Sequence, residues 1–145
     1  VICILQRVSE ASVKVEGEIV GKIGQGLMVL CGFQPEDDSQ SLEKMANKLL
    51  KFRVFSDDED KMNLNIQQIN GQFLLVPQFT LAADTAKGNR PSFHTSAPPD
   101  TAKQLFEEFV ALMNAVYQDC QTGVFGADMK VSLINDGPVT FQLTT

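Results

Sequence analysis

Only two stretches of this chain carry apolar residues at helical spacing. Almost everything else is a short run of β-branched or aliphatic residues cut by turn-forming ones. In the first stretch Leu42, Met45, Ala46, Leu49 and Leu50 make one stripe, with Lys44, Lys48 and Lys51 on the other side. Asp38 or Ser39 can cap this helix, which should end near Lys51. The second starts near Pro98 or Pro99, where proline is tolerated, and buries Leu105, Phe106, Phe109, Val110, Met113, Val116 and Tyr117. Many strands with two main helices predict an α+β fold whose mostly antiparallel sheets form a partial β-barrel. At 145 residues, without a repeat or linker, the chain reads as a single domain over residues 1–145.

The strands follow from alternation and turns. Val1–Val8 reads as a strand buried on two sides, and Ser12–Glu16 as a half-exposed one. Glu16-Gly17-Glu18 turns the latter into a hairpin with Ile19–Ile23. After a turn at Gly24-Gln25-Gly26, Leu27–Phe33 is a core strand. Arg53-Val54-Phe55 is a short strand, and Asn70-Gly71 a hairpin signal before the buried run Gln72–Phe79. Pro77 removes a donor from that run and belongs at an edge, bulge or strand end. Ala82–Pro99 is a long polar connection of the kind that is often functional. Met129–Ile134 and Val139–Leu143 form two closing strands around Asn135-Asp136-Gly137-Pro138.

Composition excludes several classes. With 43% hydrophobic residues the chain can bury a core, yet its longest apolar run, Leu27–Cys31, cannot cross a bilayer. No membrane partner and no signal peptide are expected. Cys3, Cys31 and Cys120 form no C-x-x-C pair, which fits a reducing cytoplasm. The acidic run Asp57-Asp58-Glu59-Asp60 lacks calcium-loop spacing and reads as a solvated turn, so no metal or cofactor is expected. There is no G-x-S-x-G and no glycine-rich phosphate loop, and the one histidine, His94, sits in a polar loop. A net charge of −6 argues against broad nucleic-acid binding, DNA included, while leaving recognition of one RNA end open. Lys44, Lys48, Lys51 and Arg53 read as a solvated helix face, and Lys87 and Arg90 as part of a polar loop.

Two segments stand out: Pro77-Gln78-Phe79-Thr80-Leu81 and Asn135-Asp136-Gly137-Pro138-Val139-Thr140. At a strand end, Gln78, Phe79 and Thr80 can aim a side-chain amide, a main-chain N–H and a hydroxyl at one point, where they could hold a developing oxyanion. The plainer alternative is a strand terminus with turn-forming residues. Gly137-Pro138 reads as a tight turn in which the proline can be cis or trans.

The chain closely resembles the D-aminoacyl-tRNA deacylases, also called D-tyrosyl-tRNA deacylases. The resemblance begins at Ile4-Leu5-Gln6-Arg7-Val8 and runs through Phe55-Ser56-Asp57, Lys61-Met62-Asn63-Leu64-Asn65, Gln78-Phe79-Thr80-Leu81-Ala82 and Arg90-Pro91-Ser92-Phe93. It continues through Gln121-Thr122-Gly123 and Ala127-Asp128-Met129 to Asn135–Thr140. It implies a cytoplasmic homodimer that hydrolyses the ester joining a D-amino acid to the 3′ end of tRNA, and that also acts on glycyl-tRNA. It implies that a cis Gly137-Pro138 unit enters the partner subunit's pocket and excludes L-side chains with its carbonyls. It also implies that the Phe79 N–H is an oxyanion donor beside Gln78 and Thr80, that Met129 lines the same region, and that Arg7 supports the Gly-Pro loop.

Pro77 stands where the family usually has serine, so a hydroxyl there is not essential. A Thr80 nucleophile would need an activating base. The favoured scheme has the terminal ribose 2′-OH help activate water while fixed donors position and polarise an already reactive ester. Two other readings stay open: an RNA-end binding module without turnover, and a small dimeric structural domain.

Overall fold

The computed structural model describes every residue from Val1 to Thr145. Its spine is a strand of 14 residues, β1 (Ile2–Val15), paired along both edges. On one edge runs β8 (Met129–Thr144), antiparallel along the whole length. On the other, β3 (Gly26–Gly32) pairs with Ile2–Val8 and β2 (Glu18–Ile23) with Ala11–Val15. The expected strands Val1–Val8 and Ser12–Glu16 are therefore one. Their alternation breaks because the register against β8 slips between Val8 and Glu10, which leaves Ser9 and Glu10 both exposed.

Beyond β3 the pairing becomes parallel: β6 (Gln72–Pro77) lies beside β3, and β7 (Gln121–Thr122) beside β6. Gly26 permits the first of these contacts, since a Cβ there would lie 1.8 Å from the Gln72 carbonyl oxygen. A separate small hairpin joins β4 (Phe55–Ser56) to β5 (Met62–Leu64). Asn70-Gly71 makes a turn but no hairpin. Asn70 and Gly71 donate back to Gln67 and Ile66 at 3.2 and 2.9 Å, and β6 then takes β3 as its partner rather than the chain it has just left.

β3 and β6 are buried on both faces, which explains their continuous apolar sequences. Leu27, Val29, Cys31, Phe73 and Leu75 point into the larger core, under the helices α1 (Ser39–Lys51) and α2 (Pro99–Val116). Met28, Leu74 and Val76 point into a smaller core with Val8, Ala11, Val13 and Ile23. The sheet thus curls over itself as an almost closed barrel, with both helices packed outside one wall. Asp38 caps α1, accepting from the Ser41 N–H at 2.9 Å, while the Asp38 N–H donates to the Ser41 hydroxyl oxygen at 3.3 Å. In α2, Leu105, Phe106, Phe109 and Met113 are buried as expected, but Val116 at its end is 47% exposed. No helix is long and apolar enough to cross a membrane.

Candidate active site

β6 stops at Pro77, two residues earlier than its apolar run predicts. Gln78 N–H still donates to the Cys31 carbonyl at 2.8 Å, which fixes the strand end against β3. The chain then coils into a 3-10 turn over Phe79–Ala82. The first bond of this turn runs from Leu81 N–H to Gln78 O, so the N–H groups of Phe79 and Thr80 precede it and have no partner within the turn. Gln78 Nε2 donates to Thr80 Oγ1, which locks the side-chain amide over the hydroxyl. The side-chain amide and the hydroxyl therefore meet at the strand end, next to the Phe79 N–H in the chain.

Two recesses open on either side of Phe79. One, of about 270 Å³, is walled by Val76, Pro77, Gln78, Ala127 and Met129. Pro77 and Met129 both pack on Gly123 there, so the position after Val76 presents a ring rather than a hydroxyl. The other, of about 580 Å³, is lined by Phe79, Phe93, His94, Pro98, Ala102 and Phe125 and is mostly apolar. Phe79 is 53% and Phe93 45% exposed, and their ring centroids are 5.2 Å apart. The loop holding Phe93 is anchored by Ala97 N–H to Phe33 O at 3.0 Å and by Thr95 Oγ1 to Ala82 O at 2.6 Å. A lone aromatic in a polar loop has no periodicity, so spacing assigns no role to Phe93 or Phe125. Their size in such loops was the available signal.

The second segment forms a crest in β8. While β1 advances two residues, from Gln6 to Val8, β8 covers Thr140 back to Asn135, and the extra residues protrude. The Gly137-Pro138 bond is cis, and both residues are exposed. Arg7 holds the crest from beneath: Nε donates to the Asp136 carbonyl at 2.9 Å and Nη1 to the Val54 carbonyl at 2.7 Å. Asn135 braces it internally, accepting from Val139 N–H at 2.8 Å and donating to Thr140 Oγ1 at 2.9 Å. Gly137 has φ 139°, and a Cβ there would meet Val139 Cγ2 at 2.6 Å and Arg7 Nη2 at 3.1 Å. The structure thus sorts the site residues into two groups. Gln78, Phe79, Thr80 and Met129 meet at the strand end. Arg7, Gly137 and Pro138 meet at the crest and line neither recess of their own chain.

Conventional nucleophiles are poorly placed. The Cys31 thiol is held well above its ordinary range by its hydrogen bond with Cys3 and by burial. Burial, with the charge of Asp119, pushes Cys120 up to about 12. Ser92 Oγ is 2.7 Å from His94 Nδ1, and Asp84 Oδ2 is 3.8 Å from His94 Nε2. The order is that of a triad, but the Asp84 contact is too long for a hydrogen bond and the imidazole lies open to water. No group of three or more His, Cys, Asp or Glu residues is placed to hold a metal ion. The chemistry available is that of fixed main-chain donors beside an apolar recess.

The family model described as D-Tyr-tRNA(Tyr) deacylase matches residues 4–144. The D-aminoacyl-tRNA deacylase of Hydrogenovibrio crunogenus is 66% identical, over 99% of each chain. That of Saccharophagus degradans is 58% identical, over 97% of each. Among solved structures, a c-Myc DNA unwinding element binding protein superposes with a TM-score of 0.96 at 38% identity, covering 100% of this chain and 99% of that one. A probable eukaryotic D-amino acid tRNA deacylase shares the fold, with a TM-score of 0.84 at 19% identity, over 99% of this chain and 98% of its own. With a strand end of free amides, a braced Gly-Pro crest and relatives this similar along its whole length, the chain belongs to the D-Tyr-tRNA(Tyr) deacylase family.

Proposed function

We propose that this hydrolase cleaves the ester between a D-amino acid and the 3′ end of tRNA, releasing both, and that residues 1–145 do so as a single domain. The observation that carries the reading is the main-chain N–H of Phe79, without a partner in the turn that follows, at a residue that lines both recesses. An aminoacyl ester is already reactive, so donors that polarise its carbonyl and stabilise the oxyanion contribute most of what the step needs. Thr80 Oγ1 is engaged by Gln78 and has no base beside it, which speaks against a threonine nucleophile. Water attacks instead, assisted by the 2′-OH of the terminal ribose. The apolar recess with Phe79 and Phe93 suits the flat face of the terminal base.

The crest supplies the stereochemical gate, and it does so in trans. It is exposed, lines neither recess of its own chain, and is flanked by the apolar Ile134 and Phe141, 53% and 38% exposed. A second copy seated on this face covers those side chains and delivers the Gly137 and Pro138 carbonyls to the pocket of the first. Main-chain oxygens braced by Arg7 and Asn135 cannot retreat from an L-side chain as a flexible residue would. Rejecting one enantiomer a thousandfold requires about 4 kcal/mol. Glycine offers nothing to reject, so glycyl-tRNA is a substrate too. The free thiols of Cys3, Cys31 and Cys120 suit the cytoplasm.

The test is a deacylation assay with D- and L-tyrosyl-tRNA. Release of D-tyrosine with the L-ester intact is the expected result. Equal rates on both would remove the gate, and tRNA binding without turnover would leave an RNA-end binding module.

A further inference from the structure

The loop between the 3-10 turn and α2 reads differently once it is seen on the molecule. The chain has 18 acidic residues and a net charge of −6, yet from Met62 to Pro99 the only acid is Asp84. That acid is already engaged, accepting from Ala86 N–H at 2.9 Å through Oδ1 and facing His94 through Oδ2. The same span holds two permanent cations, Lys87 and Arg90. Both are exposed, and neither takes part in any of the ion pairs of the chain.

Their position is defined rather than loose. Asp84 and Ser92 pair across the base of the loop, with N–H to O distances of 2.8 and 2.9 Å in the two directions. The tip from Thr85 to Pro91 projects beyond this clasp, turning at Gly88 (φ 69°). Phe93, one residue past the clasp, is already the wall of the aromatic recess. Two unpaired cations therefore stand in the loop that leads into Phe93 and the stacking surface, in a stretch whose one acid, Asp84, is tied into the base of the loop. Single-stranded nucleic acids are held by this combination, with bases on aromatic rings and backbone phosphates on nearby cations.

Resting on the proposed deacylase reading, we infer that Lys87 and Arg90 form a phosphate clamp for the unpaired strand leading to the terminal nucleotide. The clamp places the 3′ end without reading its sequence, and it concentrates tRNA at a protein whose overall charge repels it.

The experiment compares two substrates: D-tyrosyl-tRNA, and 3′-O-D-tyrosyl-adenosine, which carries no phosphate. For Lys87→Gln/Arg90→Gln, the ratio of kcat/KM on tRNA to kcat/KM on the nucleoside ester falls at least about tenfold at ~0.1 M salt. The slope of log kcat/KM against log salt on tRNA flattens by about 1.4, from two contacts at about 0.7 each. Lys87→Arg keeps both the ratio and the slope of the parent. An unchanged ratio, or a double variant with the parent's salt slope, overturns the clamp. Should the parent enzyme cleave neither substrate, the deacylase reading fails separately. The clamp is then judged by equilibrium binding of uncharged tRNA, where the same flattening upholds it and identical salt curves sink it.

Discussion

Phe79 brings two separable properties to one position, a main-chain N–H and a ring. Phe79→Ala keeps the donor and loses the stacking surface. Phe79→Pro removes the donor, and the 3-10 turn survives because proline is tolerated in a first turn. If the oxyanion is held by that N–H, the proline variant loses roughly 10²–10³ in kcat, while the alanine variant stays within about tenfold and shows its defect mainly in KM. Single-turnover kinetics on D-tyrosyl-tRNA separate the two, and equal losses in kcat would count against the main-chain donor. Pro77 belongs to the same neighbourhood. Packed on Gly123 beside Met129, it is an apolar wall of the recess.

α1 shows how a short polar signature secures an element. Asp38 closes a capping box with Ser41, and its carboxyl is held below the usual 3.8, first by the Ser41 N–H and then by the Ser41 hydroxyl. A carboxyl lowered in the folded state contributes stability above its unfolded value and loses it as the pH falls through the folded one. Asp38→Ala is therefore expected to lower Tm by a few degrees near neutral pH, with the gap to the parent closing below about pH 4. Thermal melts followed by circular dichroism across that range check it, and a gap that persists in acid would show that the cap acts through something other than charge. Beyond its C-terminus, α1 leads to Val54, whose carbonyl accepts from Arg7, so the helix also positions the support of the crest.

At the scale of the whole molecule, the proposed site draws on two faces. The strand end and the crest lie in different places on one chain, and the crest is flanked by the exposed apolar side chains of Ile134 and Phe141. Ile134→Glu puts a charge into that flank without touching either recess. The expected outcome is a folded monomer by sedimentation, with deacylation reduced at least about a hundredfold and Tm little changed where dimerisation adds little to stability. A monomer with full activity and full discrimination would show that each chain completes its own site.

Much of this was legible in the residues. The two helices, the capping aspartate, the core strands at Leu27–Phe33 and Phe73–Val76 and the polar strand end at Gln78-Phe79-Thr80 all follow from local rules: side-chain period, turn chemistry and caps. Partnership was not legible. That β1 is one strand, that Asn70-Gly71 makes no hairpin and that β6 runs parallel to β3 depend on which edges meet, and hydrogen-bonding groups are the same in every strand. Nor could spacing place Phe93 and Phe125 beside Phe79, or leave Lys87 and Arg90 without an ion-pair partner. Local sequence dictates backbone conformation because its causes lie within a few bonds. A site is made by residues tens of positions apart, and only the closing of the barrel brings those together.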